Sequence, residues 1–211
     1  MTERERMLSG MLYQSEHETL RQARLRASEL TFQFNQTAPH EAARRKALLR
    51  ELLGTCGGPI WVEPTFRCDY GSHIHIAGPF YANYDCVILD VCEVRIGRNV
   101  LFGPRVCLYT AGHPIDAEVR ASGLEFGRPI TIGDDVWVGG STVVNPGVTI
   151  GSRVVIGAGS VVTRDLPDDV IAVGNPCRVL RTITEEDRAH WQSLARSYWE
   201  ETPQPEIGAK S

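Results

Sequence analysis

The chain has 211 residues, 42% hydrophobic and 23% charged, too apolar for a disordered polymer and long enough for one domain with an appendage or for two small ones. A net charge of -4 and a pI near 5.9 remove the electrostatic case for nucleic acid or an anionic membrane as partner. The charge split is mild: residues 1–53 carry nine Lys/Arg against seven Asp/Glu, and the remainder 13 against 19.

The N-terminus, MTERERMLSG, has charges with no apolar stretch behind them, and no run approaches the ~20 apolar residues of a membrane span. A cytoplasmic protein is expected. The six cysteines, Cys56, Cys68, Cys86, Cys92, Cys107 and Cys177, form no CxxC pair, so they read as reduced thiols, several of them among buried strand residues. Residues 15–53 are rich in helix formers, with Leu48, Leu49, Leu52 and Leu53 at helical spacings. Asn35–Pro39 divides them and Gly54 ends them, which predicts a two-helix cap over residues 1–58 at one end of the remaining chain.

Beyond the cap the sequence repeats. From Ile130 the text runs ITIGDD VWVGGS TVVNPG VTIGSR VVIGAG SVVTRD, with Ile132, Val138, Val144, Ile150, Ile156 and Val162 six residues apart. Upstream, Ile96, Phe102 and Leu108 keep the same beat, and SHIHIAGPFYANYDCVIL repeats more weakly in a shifted phase. A period of six fits neither a helix nor a plain strand. It fits a short strand, a tight corner and another short strand, with three segments closing a coil of eighteen residues. A mainly β stacked coil is therefore expected over 59–181. After it comes a Pro- and Gly-bearing link, then a second capping helix from Thr184 to about Glu200, opened by a Thr184–Asp187 capping box. Residues 182–211 form this last unit, with 203–211 as a loose tail.

The repeat is broken once. Residues 109–129, around YTAGHPIDAEVRASGLEFGRP, lack the hexad, yet the phase returns four hexads later. A long excursion from a rigid scaffold is where function concentrates. It holds His113 between Gly112 and Pro114, and Glu125, which could orient the imidazole. His73 and His75 point the same way on a strand and raise a zinc carbonic anhydrase as an alternative. They have no HxxxxH partner, and no metal is expected. A scaffold without turnover would have no need to break its repeat.

The motifs FYANYDCVILDV, YTAGHPIDAEVR, PITIGDDVWVGG, NPGVTIG, VIGAGSVVTRDLP and AVGNPCRV, with TERERMLSGMLYQ and LTFQFN near the start, resemble the maltose/galactoside O-acetyltransferase group of the hexapeptide-repeat acyltransferases. The resemblance implies a left-handed parallel β-helix, against the usual right-handed rule for parallel crossovers. It implies acetyl transfer from acetyl-CoA to a sugar hydroxyl without an acetyl-enzyme, in a homotrimer with sites between subunits. It puts the catalytic base on His113 and an asparagine beside the reacting groups on Asn83. Acceptor contacts are expected at Asp69, Asn83, Asp90 and Trp137, and donor contacts at Gly140, Ala158, Thr163, Arg164, Arg178 and Arg181. Ser15 and Val91 stand where the galactoside enzymes carry aspartates, which leaves a maltose-like, glucosyl or glucosamine-containing acceptor open. A lipo-oligosaccharide of nodulation-factor type or an antibiotic is the alternative acceptor.

Overall fold

The aliphatic beat becomes a core. In a computed structural model that describes residues 1–202, the six hexad residues from Ile132 to Val162 are each at most 2% exposed, and those two positions earlier, from Ile130 to Ser160, are buried as well. Each hexad thus turns two side chains inward and one outward, the alternation of a short strand. The expected tail at 203–211 lies outside the described residues.

The strands pile into three parallel faces of a left-handed β-helix of about six coils. The first face stacks Ile60–Val62, Phe80–Ala82, Val100–Phe102, Trp137–Val138, Val155–Ile156 and Val170–Val173. The second stacks Phe66–Cys68, Cys86–Leu89, Cys107–Tyr109, Val143–Val144 and Val161–Val162. The third stacks Thr55–Cys56, Ile74–Ile76, Val94–Ile96, Ile130–Ile132 and Thr149–Ile150. Here the first corner is the bend from the first face to the second, and the second corner the bend from the second to the third.

Coil length explains the shifted phase upstream. Trp137 pairs with Val155, eighteen residues on, but Ile60 pairs with Phe80 and Phe80 with Val100, twenty apart each time. The two extra residues fall at the second corner in both early coils, between Cys68 and Ile74 and between Leu89 and Val94. The excursion leaves from that same corner in the third. Val94 pairs with Ile130, thirty-six residues away, twice eighteen, so the excursion preserves the hexad phase.

Two expectations for the ends need amending. The cap holds three helices, α1 (Glu3–Leu8), α2 (Glu18–Asn35) and α3 (Ala42–Leu52). Leu30 and Phe34 of α2 and Leu48, Leu49 and Leu52 of α3 join the coil core. Asn35 covers the first strand edge of the second face, exchanging two 2.9 Å hydrogen bonds with the Phe66 backbone. The C-terminal helix, Glu185–Glu201, opens on the Thr184–Asp187 capping box as expected, but it buries no residue and does not close the stack. That end is finished by Arg178–Thr182, which turns back antiparallel on Val170–Val173. The helix is tied down by Arg181–Asp187 and Arg188–Asp169 pairs. Among the described residues no helix is long and apolar enough to cross a membrane.

Close stacking at the corners explains part of the glycine content. A Cβ on Gly97 would lie 2.5 Å from the Gly133 carbonyl oxygen and 2.6 Å from its carbon, both rigid backbone. Gly97→Ala should therefore lower stability by about 1–3 kcal/mol, read as a drop in the denaturant midpoint; an unchanged midpoint would mean that the coils have room to part.

Candidate active site

The second corner is built from buried polar rungs. In the second coil Asp90 is 0% exposed. Its carboxylate accepts from the backbone N–H of Asp69 (3.0 Å), Tyr70 (2.9 Å) and His73 (3.3 Å) of the coil below. The Asp90 carbonyl oxygen lies 2.7 Å from His73 Nδ1. Burial pushes the Asp90 carboxyl up to about 7, while the backbone donors pull the other way. In the next coil Thr110, also fully buried, accepts from the Cys92 N–H at 2.9 Å and donates to the Leu89 carbonyl at 2.7 Å.

The excursion starts at Thr110 and is pinched shut where the Arg128 N–H donates to the Thr110 carbonyl at 2.9 Å. Between these points it is not loose. Ala111–Gly112 pairs antiparallel with Leu124–Gly127, and the short helix α4 (Ala117–Ala121) lies between them, its N-cap Asp116 accepting from the Val119 N–H. The other edge of Leu124–Gly127 pairs with Tyr13–Gln14 from the N-terminal segment. A three-stranded ribbon therefore holds His113, which comes directly after Gly112 and is exposed. Gly112 is glycine because the Phe126 ring would lie 2.7 Å from any Cβ there.

The N-terminal segment braces this ribbon. Met7, Tyr13 and Leu20 pack with Tyr70 and Val91 in a second small core, and the Cys92 thiol donates to the Met7 carbonyl at 3.0 Å. Arg24 reaches the Ser15 carbonyl (2.7 Å), the Tyr70 hydroxyl (3.1 Å) and Glu16 (2.9 Å). Asp69 is half-buried, and burial raises its carboxyl pKa, Arg24 opposing and Glu125 adding to the rise.

The expected site residues divide between two corners. Asp69, His113, Glu125, Thr163 and Arg164 lie at the second corner or on the ribbon leaving it. Asn83, Gly140, Ala158 and Arg178 lie along the first corner, and Trp137 and Arg181 are on the outer side of the first face. The four-residue strand Cys86–Leu89, about 13 Å long at the usual rise, separates Asn83 from the second corner. One expectation is corrected. Asp90 is no acceptor contact, because its carboxylate is sealed inside and spent on backbone donors. Glu125 is bonded by the Tyr13 hydroxyl at 2.9 Å, and among the described residues no hydrogen bond joins it to His113. Arg181 is already held by Asp187.

Tyr13, Arg24 and Thr110 belong to this corner and were not singled out from the sequence. Tyr13 meets a partner 112 positions away, and nothing in its local spacing signals that. Among the described residues no group of three His, Cys, Asp or Glu side chains is set to hold a metal ion.

Asp90→Asn tests the rung. An amide offers one acceptor oxygen where the carboxylate offers two, which leaves buried N–H groups short of partners. A loss of about 1–3 kcal/mol is expected, seen as a lower melting temperature; an unchanged one would show the carboxylate to be dispensable.

The motif known as the maltose acetyltransferase hexapeptide capping motif matches residues 6–57, and the bacterial transferase hexapeptide repeat matches residues 129–164. Galactoside O-acetyltransferase of Escherichia coli is 46% identical over 187 residues, 89% of this chain and 92% of that protein. The crystal structure of a maltose O-acetyltransferase from Clostridium difficile superposes with a TM-score of 0.86 at 53% identity, covering 88% of this chain and 99% of the other. A galactoside acetyltransferase in complex with coenzyme A superposes at 0.85 and 45% identity, covering 89% and 94%. The chain belongs to the maltose/galactoside O-acetyltransferase group of the hexapeptide-repeat acyltransferases, and it is an acetyltransferase whose donor is acetyl-CoA.

Proposed function

We propose that the chain acetylates a hydroxyl of a maltose- or glucose-like sugar by direct transfer, with His113 as general base. The observation that carries this reading is the single break in the coil: it opens at the corner that holds Asp69 and presents His113 on a braced ribbon. An imidazole nitrogen of His113 takes the proton of the acceptor hydroxyl. The oxygen attacks the thioester carbonyl carbon, the carbon–sulfur bond breaks, and the departing thiolate takes the proton back as CoA thiol. Asn83 offers an amide N–H to the carbonyl oxygen as charge develops there. Half-buried Asp69 accepts from another sugar hydroxyl. Ser15 and Val91, in place of aspartates, favour a glucosyl over a galactosyl acceptor.

The donor lies along the first corner, where Gly140 and Ala158 let the pantetheine arm approach the backbone and Arg178 meets phosphate. His113 and these residues stand at different corners of one chain, so the site is completed in a homotrimer by the first corner of a neighbouring copy. Two exposed apolar surfaces support that assembly. One is the outer first face, with Trp61, Leu101 and a 55% exposed Trp137, where a cavity of about 990 Å³ runs beside α3. The other is the excursion, with Ile115 at 96% exposure and Val119. The reaction then takes place in the cytoplasm, where acetyl-CoA is made.

His113→Ala should cut kcat by about 10²–10⁴-fold and leave the KM for acetyl-CoA nearly unchanged, measured as thiol release against maltose or glucose. Full turnover in that variant would remove the base assignment.

A further inference from the structure

The ribbon has a register that the bonded pairs do not exhaust. Ala111 stands opposite Gly127 and Gly112 opposite Phe126; the bonded pairs end there, and the same register carried one residue on would set His113 across from Glu125. On the other edge Glu125 stands opposite Tyr13. Carried on by that residue, the register aligns Tyr13, Glu125 and His113 in one transverse row, and residues directly opposite in antiparallel strands carry side chains on the same face, about 5 Å apart at Cβ.

The row has a fixed end and an open one. Tyr13 is 1% exposed, packed with Met7, Leu20, Tyr70 and Val91, and its hydroxyl donates to Glu125 Oε2 at 2.9 Å. One carboxylate oxygen is thus taken from the N-terminal side. Oε1 has no protein hydrogen bond among the described residues, and the next position in the row is the base. An oxygen acceptor clamped beside the base, yet not bonded to it, suits a hydroxyl of the molecule that the base deprotonates. Two nearby arginines are occupied: Arg24 is held by Ser15, Glu16 and Tyr70, and Arg120 by the carbonyls of Pro114 and Ile115.

Resting on the proposed acetylation of a sugar hydroxyl by His113, we infer that Glu125 is an acceptor-selecting residue. It accepts a hydrogen bond from a second hydroxyl, close to the one acetylated, and Tyr13 is the positioning residue that holds it there. The preferred acceptor is then a sugar with free neighbouring hydroxyls, and the N-terminal segment takes part in choosing it.

The test is acetyl transfer to glucose and to each of its monodeoxy analogues by the full-length protein and by Glu125→Ala and Tyr13→Phe. In the unmodified protein one deoxy analogue should lose about 10–100-fold in kcat/KM through KM. Glu125→Ala should raise the KM for glucose by a similar factor, leave the KM for acetyl-CoA unchanged, and show no further loss with that analogue. Tyr13→Phe, which removes one oxygen atom, should show the same signature at about a third to a tenth of the size. Equal losses on every sugar, or a fall in kcat at constant acceptor KM, would overturn the inference and return Glu125 to orienting the base. Turnover in His113→Ala would instead sink the base assignment, and the deoxy pattern would still be readable.

Discussion

Inward side chains must stack on inward side chains. In a coil three short strands wide, each inward aliphatic is covered by its counterparts one coil above and one below, and burying one contributes about 1.5–3 kcal/mol. A residue inserted within a strand would turn every later inward side chain of that strand outward. Inserted at a corner, it costs little, because doubling the length of a loop adds only about 0.6 kcal/mol of closure entropy. Extra chain is therefore driven to corners, and in this molecule all of it goes to one. Two coils carry two extra residues there and the third carries the whole excursion.

Having gone to that corner, the added chain had polar backbone to satisfy. Asp90 and Thr110 do this from inside, each bonding the neighbouring coil, while the N-terminal segment closes over the outside through Tyr13, Met7 and Leu20. The result is a stiff platform under an exposed imidazole, which is what the proposed general base requires. The same geometry keeps His113 away from Asn83, Gly140 and Ala158, which line the first corner of the same chain. In the proposed assembly one prism offers two half-sites facing outward. Closed cyclic packing brings unlike corners together without any change in the subunit.

Much of this was legible in the sequence because a period of six is a direct readout of stacking. The core positions from Ile96 to Val162, the place of the break and the Thr184–Asp187 capping box all follow from local spacing. What stayed hidden depends on contacts between distant positions. Asp90 reads as one more acidic residue near a motif, and only its burial beneath Asp69, Tyr70 and His73 shows that it serves the fold. Tyr13 and Glu125 meet through strand pairing that no local pattern encodes. The helix at Glu185–Glu201 was legible as a helix; its failure to cap the stack was not, because Trp191, Leu194 and Tyr198 give it an apolar stripe that sequence alone assigns to the nearest core. The weak early repeat was ambiguous for a simple reason: two residues per coil were added at a place the hexad does not mark.

The division of the site between corners of neighbouring copies is tested most directly by mixing two inactive variants, His113→Ala and Asn83→Ala, after dissociation and reassociation at equal amounts. If each site takes its base from one copy and its first corner from the next, random assembly restores both intact halves in about a quarter of the sites, and thiol release should recover to about that fraction. Mixed oligomers, verified by mass, that stay as inactive as either parent would contradict a shared site.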